Sequence, residues 1–224
     1  MEIFFTKLQE YLGKQITLET LQHFSLTKNN YEVIIDTMNI FYLDKDPKTC
    51  AEMHCDKHVC KMIIEYAQLM STAHRVLDGD QYEGKTANGR RIQRWKHPIP
   101  VMEKTLYKAS HIKHPSGLWT RDSQNHYNWL YTMWTHLCDE YTYRYGKVHM
   151  TDSKLRDLLE SPPMQIPVET YVDPYLAMPD DVKQKDVVQS YQDYYVQYKN
   201  HLAKWTNRRI PEFMTIETNA GYAS

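Results

Sequence analysis

Glycine is scarce in this chain, with seven among 224 residues. None stands in a G-x-G-x-x-G or G-x-x-x-x-G-K-[ST] arrangement, so neither a Rossmann nor a P-loop nucleotide site is expected. A G-x-S-x-G elbow and an H-E-x-x-H pair are also missing, which disfavours the hydrolase and zinc-protease chemistries they serve. Four cysteines spread over this length do not make a secreted disulfide scaffold. No stretch approaches 18 consecutive apolar residues, and the first residues lack a basic patch followed by an apolar run. Neither a membrane span nor a signal peptide is expected, which leaves a soluble protein of the cytoplasm as the expectation. An excess of one charge sign is lacking too: 27 basic residues stand against 28 acidic ones, for a net charge of −1.

Aromatic and soft side chains are plentiful instead: 18 Tyr and 5 Trp beside 11 His and 11 Met. Such residues stack on bases or sugars, and they equally fill helical cores. The pattern predicts a mostly α fold: a compact helical domain with two long packed helices, a short N-terminal extended segment and a C-terminal helix. Residues 1–37 read as an N-terminal arm, 38–150 as the helical core, 151–213 as a proline-rich crossover followed by a helix, and 214–224 as a loose tail.

The stretch 49–78 contains no Gly or Pro, stops at Gly79, and predicts one long helix. Cys55, Val59, Met62, Tyr66, Leu69 and Ala73 recur at steps of three and four and make its buried face. Beside it runs a polar stripe, His54, His58, Lys61, Glu65, Gln68 and Thr72, placed to wall a cleft. Residues 79–116 read as loops. Residues 116–145 predict a second long helix, with Trp119, Ser123, Tyr127, Leu130, Trp134, Leu137 and Tyr141 on one line, and 181–206 predict a third. The prolines of 161–179 predict an extended crossing.

Charge is lopsided in one place. Lys85, Arg90, Arg91, Arg94, Lys96, Lys104, Lys108, Lys113 and Arg121 face only Glu103 between positions 85 and 121, nine cations against one anion. A near-neutral chain that gathers its positive charge in one segment has an electrostatic footprint for phosphate.

His54 and His58 have the i,i+4 spacing of metal ligands, but no carboxylate takes the usual third position. Cys50, Cys55 and Cys60, five apart, diverge on a helix. No metal and no cofactor is therefore assigned. Lys61 and Glu65 form an i,i+4 pair whose spacing reads first as a surface salt bridge, and otherwise as a carboxylate with a partner amine at a cleft edge. His114-Pro115-Ser116-Gly117-Leu118-Trp119 reads as a proline-fixed turn with a core anchor, or as a helix N-terminus that meets phosphate.

Three motifs in order carry a resemblance: D-K-H-V-x-K-x-x-x-E-x-x-Q from Asp56 to Gln68, H-P-x-x-x-W from His114 to Trp119, and C-x-E-Y-x-x-R from Cys138 to Arg144. Over residues 38 to about 149 the chain resembles the pyrimidine-dimer DNA glycosylases of the endonuclease V type, found in phage and bacterial repair. Residues 150–213 resemble uncharacterised phage proteins that share this core. The resemblance implies a compact helical enzyme, located in the host cytoplasm if viral, that binds damaged duplex DNA and cleaves an N-glycosidic bond.

It also implies catalytic Glu65 with Lys61 beside it. DNA contacts would come from His58, Gln68, Arg90, Arg91, Arg94, Lys96, Lys113, His114, Trp119, Arg121 and Arg144. Bifunctional members use an N-terminal amine to attack the sugar, whereas the resembling segment here begins at Met38. That difference leaves a monofunctional glycosylase, Lys61 as the amine, or a replaced activity, and a Lys61–Glu65 pair, which keeps lysine protonated, favours the monofunctional route. Group transfer to a modified pyrimidine, and non-catalytic binding of nucleic acid or a host protein, are the rival readings.

Overall fold

A computed structural model describes residues 39–215 of the chain. The expected arm over 1–37 lies outside these residues, as does all of the expected tail beyond Thr215. Seven α-helices and one two-stranded sheet make up the described part: α1 (Pro47–Met53), α2 (Asp56–Asp78), β1 (Asp80–Lys85), β2 (Arg91–Lys96), α3 (Pro100–Thr105), α4 (Pro115–Asp122), α5 (Gln124–Tyr145), α6 (Met150–Leu159) and α7 (Val187–Tyr198). The protein is mostly α, and no described helix is long and apolar enough to cross a membrane.

Helix α2 is the axis of the fold, and α4, α5 and α6 all pack on it. Its anticipated apolar face is buried throughout, from Cys55 and Val59 to Leu69 and Ala73. Opposite it, Trp119, Tyr127, Leu130, Trp134 and Leu137 are fully buried. Each such aliphatic side chain contributes about 1.5–3 kcal/mol by leaving water. The indoles also satisfy their N–H groups: Trp134 Nε1 donates to the Ile63 carbonyl at 2.9 Å, and Trp119 Nε1 to that of Val172 at 2.9 Å. The core extends through Tyr191, Tyr195 and Trp205, so the C-terminal third shares it.

The expected helix over 49–78 is divided. His54 and Cys55 adopt extended backbone, ψ 132° and 161°. The cause is tertiary, because the buried Arg144 guanidinium takes the carbonyls of Glu52 and His54. The Asp56 N–H meanwhile donates to the Lys204 carbonyl. The expected helix over 116–145 breaks likewise at Ser123, which is extended and caps α5. Its Oγ accepts the N–H groups of Asn125 and Glu169 and donates to the Glu169 carbonyl.

The loop assignment over 79–116 is corrected most. β1 and β2 pair antiparallel, from Asp80 opposite Lys96 to Lys85 opposite Arg91. Asn88-Gly89 closes the turn, and Gly89 takes φ +80°, where a side chain would be strained. Residues 161–179 carry neither helix nor strand. The third helix is shorter than its stripe suggested, because Asp186 caps it at Gln189 N and it stops after Tyr198. The run from Asn39 to Asp44 is not a strand either. It is threaded through the core, where the Phe41 N–H donates to the Tyr66 hydroxyl and the Leu43 carbonyl accepts from Gln192 Nε2.

Candidate functional site

Lys61, Glu65 and Gln68 follow one another along the outer side of α2. Lys61 Nζ lies 3.2 Å from a Glu65 carboxylate oxygen, with the two side chains 43 % and 18 % exposed. Glu65 is thus shielded by the helix surface but still open to solvent. One turn on, Gln68 Nε2 donates to the Lys108 carbonyl at 2.7 Å, and Thr72 Oγ1 accepts the Ser110 N–H at 3.3 Å. These bonds lay the loop 106–114 along α2. Lys108, His111 and Lys113 of that loop are exposed.

The loop is held from its far side as well. Arg121 Nη1 donates to the Gly117 carbonyl at 2.8 Å, and its Nη2 to that of Ile112. A side chain on Gly117 would stand 3.2 Å from the His111 carbonyl and 3.8 Å from Leu69, so glycine permits this close approach. His111 itself takes φ +51°. His114 caps α4, its Nδ1 accepting the Ser116 N–H, and burial holds its pKa below the usual histidine value. A carboxylate, its lysine and a fixed basic loop are therefore assembled side by side.

The hairpin presents the second concentration of charge. Lys85, Arg90, Arg91 and Lys96 are exposed, and Arg94 is half-buried opposite the exposed Tyr82. Lys85 and Arg91 are direct cross-strand partners, an arrangement that repels unless an anion lies between. The nearest acid, Glu83, stands 3.6 Å from Arg91, and both side chains are mostly in water. An isolated two-stranded ribbon is marginal. This one is fastened at its root by Arg75, which donates to the Trp95 carbonyl at 3.1 Å and to Glu103 at 2.5 Å.

No protein-family model, curated protein or solved structure matches this chain.

Several anticipated contact residues belong to the interior. Arg144 has no exposed side-chain surface and donates to Glu140, Asp56 and the carbonyls of Glu52 and His54. Its assignment to DNA is corrected to a structural one, since phosphate cannot reach it without unpairing buried carboxylates. Trp119 is likewise wholly buried, stacked on His126 at 4.6 Å. His58 lies beneath the surface against the Phe41 ring at 4.2 Å, with Nδ1 hydrogen-bonded to the Tyr195 hydroxyl. Gln68 and Arg121 spend donors on loop carbonyls, so they act as loop supports. The polar stripe of α2 is therefore half interior, because His54, His58 and Thr72 are buried and only Lys61, Glu65 and Gln68 face outward.

One constellation was missed in the sequence. His74 and Asp78 share the last turns of α2, and His97, just past β2, comes back to meet them. The i,i+4 histidine–aspartate pair was visible, but the return of His97 required knowing that 80–96 is a hairpin.

Proposed function

We propose that the chain is a phage-type DNA glycosylase-like enzyme that cleaves the N-glycosidic bond of a damaged or modified pyrimidine in duplex DNA. Glu65 is its catalytic carboxylate. The observation that carries the reading is the placement of Glu65 one helical turn before Gln68, the residue that fixes the basic loop 106–114 against α2. A partly shielded carboxylate can stabilise the cationic sugar that develops as the base leaves, or activate the attacking water. Lys108 and Lys113, exposed on the loop that Gln68 holds against α2, supply phosphate contacts that offset the cost of exposing a base.

The hairpin extends the contact along the duplex. Glu65 and the end of α2 are separated by 13 residues, about 20 Å of helix, or roughly six base steps of B-form DNA. A two-stranded ribbon has the width that the major groove admits. The cations of Lys85, Arg90, Arg91, Arg94 and Lys96 serve binding, and the Lys61–Glu65 pair serves chemistry.

The mechanism is monofunctional. A lysine ammonium held by a carboxylate at 3.2 Å is not a nucleophile, so water attacks the sugar while Glu65 stabilises it. The test incubates the chain with duplexes carrying thymine dimers, uracil or 5-hydroxymethyluracil and measures released base by mass. Free base that disappears with Glu65→Gln supports the reading. Binding without release on every substrate leaves a DNA-binding module, and mass added to the base indicates group transfer.

A further inference from the structure

We propose that His74, Asp78 and His97 form a site for a divalent transition-metal ion of the Zn2+ class, which pins the root of the basic hairpin to the end of α2. Their ligand atoms lie within 4.8 Å of one another. Asp78 Oδ2 stands 4.0 Å from His74 Nδ1 and 4.0 Å from His97 Nε2. All three side chains are at most 3 % exposed. Neither of those two ring nitrogens has a hydrogen-bond partner, although both are sealed from water. Two orphaned nitrogens aimed at one carboxylate oxygen are what an ion would satisfy at once.

The surrounding bonds define the protons. The Tyr127 hydroxyl donates to the Leu159 carbonyl at 2.9 Å, so its oxygen accepts from His74 Nε2 at 2.9 Å. That leaves a lone pair on His74 Nδ1, directed at the cluster. Asp78 accepts the N–H groups of Met164 and Gln165 at 2.9 and 3.0 Å, the outer support that ligating carboxylates ordinarily have. The neighbouring Arg75 is already committed to Glu103 and to backbone carbonyls, so its charge is matched locally.

Two features oppose an ion, and magnitudes decide between them. Zinc–nitrogen and zinc–oxygen bonds of about 2.0–2.2 Å in tetrahedral geometry need ligand atoms about 3.3 Å apart, so each 4.0 Å gap must close by about 0.7 Å. Closing the gaps requires a shift of His97, which lies between β2 and Pro98, outside any helix, and whose N–H donates to Glu103 at 2.7 Å. His97 Nδ1 also accepts the Ile99 N–H at 3.1 Å, which places the neutral ring's proton on Nε2. Metal ligation moves that proton to Nδ1, where it opposes the Ile99 N–H, so this bond is lost and the Ile99 amide must turn away, a cost of roughly one hundredfold or more in affinity. Zinc association with a buried multidentate site exceeds such a factor by many orders of magnitude.

The test uses the full chain, stripped with a chelator and titrated with Zn2+, and with Co2+ for a visible spectrum. The expected result is one equivalent of metal lost in His97→Gln and in His74→Gln relative to the parent chain. A Co2+ absorption of nitrogen and oxygen ligation should vanish with it. The thermal midpoint should rise by about 5–10 °C when free Zn2+ exceeds the dissociation constant about a hundredfold, and neither variant should show that rise. The midpoint in chelator establishes which variant is folded, and either folded variant suffices. Equal stoichiometry and spectrum in parent and variant would place the metal elsewhere and overturn the proposal. Absence of uptake by the folded parent chain would do the same and leave a bridging water as the occupant of the cluster. Neither outcome bears on Glu65, because base release is measured separately.

Discussion

Arg144 Nη1 lies 2.9 Å from Asp56 Oδ1, a bond that joins residues 88 positions apart and ties the last turn of α5 to the first of α2. The same guanidinium meets Glu140 at 2.6 Å, and Glu140 in turn holds Arg208 at 2.8 Å. Burial works to raise the Asp56 carboxyl, but hydrogen bonds from Thr206 and Arg144 hold it below the usual carboxylate range. Here a motif residue that read as a DNA contact is the bolt of the fold.

Arg144→Met should therefore cost about 3–5 kcal/mol, because two buried carboxylates lose their common cation. Denaturant unfolding measures the loss. The part of the population that remains folded should bind DNA with nearly the parent salt dependence. A variant of parent stability with weakened DNA binding would restore the phosphate role.

Acid should weaken the fold through His54. Its ring is buried, bonded to the Cys50 carbonyl and the Tyr66 hydroxyl at 2.8 and 2.9 Å, and burial lowers its pKa from 6.5 to about 4. Between those values the unfolded chain holds a proton that the folded chain does not. The stabilisation is thus complete above about pH 6.5 and declines as pH falls toward 4, by up to about 3 kcal/mol. Urea midpoints at pH 7 and pH 4.5 read this slope. His54→Gln should lower the pH 7 value and flatten the slope, and an unchanged slope would assign the acid limb to other groups.

DNA affinity should fall steeply with salt. Five cations on the hairpin that each displace a counterion give a log–log slope of roughly −4 to −5. Arg90→Glu, Arg91→Glu and Arg94→Glu together should weaken binding to every sequence and flatten the slope by about three. The fold should survive, since Arg90 and Arg91 are exposed and the hairpin root is held by Arg75. Unaltered affinity would remove the hairpin from the interface.

Glu65→Gln should lower base release by about a hundredfold or more while leaving DNA affinity within a few-fold, because it removes a charge and little volume. Lys61→Met should leave measurable release. Borohydride should trap no covalent adduct, since the water route forms no imine. An adduct that Lys61→Met abolishes would make Lys61 the nucleophile instead.

The sequence by itself determined the helical class and the buried face of α2, because apolar residues at steps of three and four can be buried together only on a helix. It also marked the basic segment, since charge is carried by composition. It contained an unread signal for the hairpin too, Asn88-Gly89 between two runs of alternating character. Only the tertiary structure decided where the long helices break. Arg144 captures the Glu52 and His54 carbonyls from across the core, so no local residue announces that interruption, whereas at Ser123 a serine able to cap α5 was present but only its engagement with Glu169 fixed the break there. It decided equally which polar residues face water, turning His58, Trp119 and Arg144 inward and leaving Glu65 at the edge. The meeting of His97 with His74 and Asp78 was its decision as well. Local propensity is a property of neighbours in the chain, whereas hydrogen-bond satisfaction in a buried core is settled by partners dozens of residues away.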